Sequence, residues 1–255
     1  MVPHKPSLLS LSAIILALSS AVLVHQPGGL RAATLAQWET FGTPGDQLAQ
    51  AATNEAPGIS GVDLTRNGGL APRTGANSFN SKGWASNAEL TPTVVNTGAF
   101  VELGITIQPG LSANLESLLL GSRSSGSGPA MIGVFTSVDS FTTPIFVIDQ
   151  TATTGFGNVQ GTGFANSNID LSAFNGITGS FLVRFKNVSG ANTATTARAG
   201  DMDLESTWRI GDFLEPGVGF SVLQITGTVI PEPASWVLLC GLGCLATSAR
   251  YRNSR

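Results

Sequence analysis

Three well-separated stretches of this chain alternate apolar and polar side chains with a period of two. In "FVELGITI", Val101, Leu103, Ile105 and Ile107 share one face while Glu102 and Thr106 share the other. In "GSFLVRFK", Phe181, Val183 and Phe185 oppose Ser180, Arg184 and Lys186. In "FSVLQITGTV", Leu223 and Ile225 oppose Gln224 and Thr226. A period of two is the repeat of a pleated strand, whose successive side chains point to opposite sides. One face of each stretch is therefore expected against a core. Its predicted members are Val101, Leu103, Ile105, Phe181, Val183, Phe185, Leu223 and Ile225.

The same reading predicts further strands at Thr34–Phe41, Leu115–Arg123, Ala130–Thr136, Ile145–Ile148 and Thr207–Ile210. Turn-forming runs such as "TRNGGLAPRTG" and "SSGSGP" separate them. Between the two ends, the one helical feature expected is a short turn near Gln47–Ala52. About eight to ten strands without βαβ alternation predict an all-β fold, an antiparallel two-sheet β-sandwich over residues 34–229. Its length suits a jelly roll better than a seven-stranded immunoglobulin-like domain.

Composition narrows the chemistry of that domain. Both His (His4, His25) lie near the N-terminus, both Cys (Cys240, Cys244) near the C-terminus, and the one Tyr is Tyr251. The middle therefore lacks the imidazole and thiol of Ser-His-Asp and Cys-His nucleophile systems, and the usual zinc ligands. Between Thr34 and Ile230, eight Lys/Arg stand against fifteen Asp/Glu, a formal charge of −7. Such a domain repels phosphate backbones, which argues against nucleic acid as a partner.

The two ends read differently. Residues 1–33 have a basic Lys5, an apolar stretch from Leu8 to Val24, and the small residues Ala32 and Ala33. This is the layout of a signal peptide removed by signal peptidase, with cleavage expected after Ala33 and Ala21 as the other site. Residues 230–255 hold three consecutive parts. Pro231, Glu232 and Pro233 cannot be helical throughout, because each Pro lacks an N–H and restricts the residue before it. Trp236 to Ala249 is apolar but rises only about 21 Å as a helix, short of the ~30 Å hydrocarbon core. Arg250, Arg252 and Arg255 then favour the cytoplasmic side. The reading is a marginal transmembrane helix with its domain outside the membrane.

This three-part tail resembles the PEP-CTERM sorting signal, in which a Pro-Glu-Pro motif precedes a short hydrophobic helix and an Arg-rich tip. Cys240 and Cys244 depart from the Leu, Ala and Gly more usual in that helix, and are read as apolar filler. The resemblance implies an exported protein of a Gram-negative bacterium that makes exopolysaccharide. It implies an exosortase as processing partner, transient residence in the inner membrane, and a final place at the cell surface or in the matrix. A second resemblance, carried by "LLLGSRSSGSGPAMIGVFTSVDSF", "IDLSAF" and "LQITGTV", is to the lectin-like jelly-roll domains found before such tails.

Several residues in the middle are candidates for a site. Asp201, Asp203 and Glu205 fall at alternate positions, where they could offer oxygens to calcium or form a solvated acidic edge. Trp38, Trp84 and Trp208 are core residues or stacking platforms for sugar rings. Trp84, within the polar "FNSKGWASN", is the one expected at the surface, with Asn80, Ser81 and Lys82 beside it as hydroxyl-binding groups. Fifteen carboxylates also leave room for a glycosidase-type pair. The expected function is non-catalytic, a structural or adhesive association with extracellular polysaccharide. The alternatives are a carbohydrate-active enzyme using two carboxylates, or a matrix filler that binds no ligand.

Overall fold

Two of the three alternating stretches pair with one another. Phe100–Ile107 (β7) and Ser180–Asn187 (β12) run antiparallel, with Phe181 opposite Ile105, Val183 opposite Leu103 and Phe185 opposite Val101. This register places all six apolar side chains on one face, and each is fully buried. Leu223 and Ile225, from the third stretch, are buried as well. The computed structural model describes residues 32–84, 98–125, 128–150, 165–188, 205, 207–211, 213–215 and 219–232.

Numbered along the chain, the strands form two main antiparallel sheets. The six-stranded sheet runs β10 (Phe146–Asp149), β9 (Met131–Thr136), β12, β7, β4 (Ile59–Asn67) and β2 (Ala49–Gln50). The eight-stranded sheet runs β3 (Asn54–Glu55), β1 (Ala33–Trp38), β16 (Leu223–Pro231), β8 (Leu111–Ser124), β13 (Thr207–Gly211), β6 (Phe79–Lys82) and β5 (Ala71–Pro72), with β11 (Ala165–Asp170) also paired to β8. A small ribbon joins β14 (Phe213–Glu215) to β15 (Gly219–Ser221). The inner faces of the two main sheets meet in one buried cluster, to which β8 and β13 bring Leu118, Leu120, Trp208 and Ile210. Burying each such side chain contributes about 1.5–3 kcal/mol. The architecture is an all-β sandwich, as the alternation predicts.

Four local expectations are corrected. Gln47–Ala52 holds no helical turn: Ala49–Gln50 is an edge strand on β4, and the one helical element among the described residues is the 3-10 turn Ser137–Asp139. β8 begins at Leu111, four residues before the predicted start. β16 continues two residues past Val229, so Pro231 belongs to the sheet. Finally, β4 occupies "ISGVDLTRN", part of which reads as turn-forming. Ile59 and Leu64 are both buried although five residues apart, a spacing that strict alternation forbids. The pairing with β7 shifts register between Val62 and Thr65, and this bulge returns Leu64 to the inner face.

Candidate functional site

The last strand delivers the chain to the Pro-Glu-Pro motif. Pro231 stands opposite Leu111 at the end of β16, and both Pro231 and Glu232 are exposed. The Glu232 N–H donates to the Gly110 carbonyl at 2.9 Å, in the tight β7–β8 turn where Gly110 takes φ +83°. The motif therefore begins as an extended segment fastened to the rim of the sandwich. Pro233, Trp236, the helix predicted over 236–249, and Arg250, Arg252 and Arg255 lie outside the described residues, as does nearly all of the predicted signal segment.

Of the acidic triplet, Glu205 is described, and Asp201 and Asp203 are not. Glu205 is exposed and bridges two cations, Arg73 and Lys82, with Lys82 Nζ 2.7 Å from its Oε1. Those contacts tie Glu205, two residues before β13, to Lys82 of β6 and to Arg73, the residue after β5. Among the described residues, no three His, Cys, Asp or Glu side chains gather as a metal site.

Trp84 is not at the surface. Its indole is fully buried, donates from Nε1 to the Ser81 carbonyl at 2.9 Å, and meets Trp208 edge to face at 5.7 Å. Trp208 in turn packs on Phe185 of the facing sheet, and Trp38 is also fully buried. No described indole offers a face to a sugar. Asn80 and Ser81 are buried too, although their polarity suggested a surface loop. Their environment is built around Arg66, which follows Leu64 onto the inner face of β4. The Arg66 guanidinium donates to the carbonyls of Gly45, Gln47 and Asn80 and to Ser81 Oγ, and lies 3.6 Å from the Phe79 ring centroid. Burial pulls its pKa down to about 10, against the opposing influence of Asp46. The Asn80 carbonyl and Ser81 Oγ are thus engaged within the interior by Arg66.

Sequence reasoning missed a second cluster, on the outer face of the six-stranded sheet. Arg184 Nε donates to Glu102 Oε2 at 2.6 Å across β12 and β7. Its guanidinium carbon lies 4.1 Å from the Phe100 ring centroid and 3.7 Å from that of Phe141. Lys186, two residues on, sits 4.6 Å from the Phe135 centroid and donates to the Phe141 carbonyl at 3.2 Å. Partial burial lowers the Lys186 pKa first, and Arg184 lowers it further, while Asp139 acts in the opposite sense. Phe141 and Ser140 both take φ +59°, a left-handed conformation that side chains with a Cβ avoid. The loop is held there by its own bonds: Phe141 N–H donates to Thr136 O at 2.9 Å, and the Asp139 carboxylate accepts from the N–H groups of Thr142 and Thr143. Alternation marks Arg184 and Lys186 as outward-facing, but nothing local signals that Phe141, some forty residues earlier, lies against them.

These features define the class of molecule: an antiparallel β-sandwich with an exposed C-terminal exit and a cation–aromatic patch on one outer sheet face. No family model matches the chain, and no curated protein or solved structure matches it either.

Proposed function

We propose that this is an exported, non-catalytic β-sandwich protein that is sorted through the envelope by its C-terminal tail and associates with extracellular polysaccharide. In this reading residues 1–33 direct export, residues 34–229 form a jelly-roll-like domain, and residues 230–255 are a PEP-CTERM-type signal processed by an exosortase. The observation that carries it is the ordered tail, Pro231-Glu232-Pro233, then Trp236–Ala249, then Arg250, Arg252 and Arg255. It is supported by the exposed, extended course of Pro231 and Glu232 at the sandwich rim, where a processing enzyme can reach them. The apolar run holds the chain in the inner membrane, and the arginines stop translocation and fix its orientation.

Replacing Pro231, Glu232 and Pro233 together by Ala tests the sorting step. Export should persist, while a longer form of the protein accumulates in the inner membrane, as followed by fractionation and immunoblotting against the sandwich. A variant that reaches the parent's compartment at the parent's mass would remove the motif from any sorting role.

A further inference from the structure

We propose that the outer face of the six-stranded sheet, centred on Arg184 and Lys186, binds the carboxylates of an acidic, uronate-bearing polysaccharide; this rests on the polysaccharide reading above and specifies its chemistry.

Strand register sets out the surface as two neighbouring rows. One row runs Phe135, Arg184, Glu102 and Thr65. The other runs Val147, Gly133, Lys186, Phe100 and Asn67. Gly133 has a packing reason to lack a side chain: a Cβ there would come 2.7 Å from the Phe135 ring. Both rows mix apolar groups with a cation. A pyranose ring has the same mixture, with C–H faces and, in a uronate, one carboxylate at its edge.

The patch has more donors than acceptors. A guanidinium carries five N–H groups and an ammonium three. Among the described residues, Arg184 gives Nε to Glu102 and Lys186 gives one proton to the Phe141 carbonyl. Asp139, also near the patch, already accepts from the loop backbone. Arg184 is also fixed in advance by two rings and Glu102, so a ligand need not immobilise it, which lowers the entropic cost of binding. Two cations on one strand face, two residues apart, repel each other, and an anion between them relieves that repulsion. Val147, exposed at the sheet edge, extends the patch with an apolar rim.

Calorimetry on the full-length chain in detergent micelles tests this with two probes, an oligogalacturonate and a neutral dextran oligomer. The oligogalacturonate should bind, more weakly as NaCl is raised, and the dextran should not. Arg184→Gln and Lys186→Gln should each weaken binding about ten- to a hundred-fold, the value of a hydrogen bond to a charged group. Arg184→Lys should also weaken it, because an ammonium lacks the planar fork. Arg73→Gln, beside the other sheet, should leave binding unchanged. If Arg184→Gln does not fold, judged by its melting curve, Lys186→Gln carries the test. Equal binding by parent and both Gln variants would overturn this site while leaving the polysaccharide reading intact. Dextran binding as tight as oligogalacturonate would overturn the acidic specificity alone. Binding of neither probe, with self-association that Arg184→Gln abolishes, would overturn both readings and make a second copy of this acidic chain the occupant.

Discussion

β12 and β6 are both internal strands of this sandwich, yet they bury opposite kinds of residue. β12 sends Phe181, Val183 and Phe185 inward and keeps its cations outward. β6 buries Asn80 and Ser81, and Lys82 alone of its polar residues is partly exposed. What separates them is the partner across the core. Opposite β12 stand apolar residues, so a polar inward group would lose its water and gain nothing. Near β6 stands Arg66, whose guanidinium supplies donors to Asn80 O and Ser81 Oγ. Ser81 is matched in this way, whereas the Asn80 side chain is matched only in part, its Nδ2 donating to the Thr74 carbonyl while its Oδ1 is buried with no partner among the described residues.

The comparison can be broken most severely at Val183. Val183→Asp puts an unpaired carboxylate into the apolar half, beside Leu103 of the neighbouring strand. The cost should exceed about 5 kcal/mol, enough to unfold the domain. Loss of the far-UV β signal and of a cooperative melt would show it. A folded Val183→Asp protein would mean that the inner face of β12 reaches water.

Next in size is Trp84→Ala. A surface indole can be removed for less than about 0.5 kcal/mol, whereas a fully buried one costs about 3–5 kcal/mol. The urea midpoint decides between them, and a large downward shift is expected.

The fold was largely readable where apolar residues alternate, because burial alone dictates β7, β12 and the start of β16. It was not readable where register or charge intervenes. β4 hides behind the Val62/Thr65 bulge, which turns a regular pattern into an odd spacing between Ile59 and Leu64. β6 hides because its burial depends on Arg66, fourteen residues earlier in the chain. Trp84 was placed at the surface by its polar neighbours, of which Asn80 and Ser81 are themselves buried. The cation–aromatic patch needed three dimensions for the same reason: Phe141 reaches Arg184 only through tertiary packing.

Arg66→Met tests the polar half directly. It keeps an apolar chain beside Phe79 and removes every guanidinium donor, stranding the Gln47 carbonyl and leaving those of Gly45 and Asn80 with one backbone N–H each. The expected loss is about 3 kcal/mol by chemical denaturation, and Arg66→Lys should recover part of it. If Arg66→Met matched the parent in stability, water would have to satisfy those carbonyls, and the contrast between the two strands would not depend on arginine.

The smallest effects are expected at the rim, where the sandwich hands the chain to its tail. Pro231 is exposed and ends its strand, so Pro231→Ala should shift stability by less than about 0.5 kcal/mol. That near-neutrality makes the Ala substitution a clean probe of sorting, since misfolding could not account for a trapped protein. Gly110, which receives the Glu232 N–H, is different. A Cβ there meets nothing within 4 Å, but its φ of +83° still disfavours any L side chain. Gly110→Ala should therefore cost about 1 kcal/mol through the backbone alone. Hydrogen exchange at the Glu232 amide should quicken in that variant while the amides of β12 stay protected, because the turn loosens locally and the core does not. Equal acceleration in β12 would show that the rim and the core open together, and that the tail is fastened to the whole sandwich rather than to one turn.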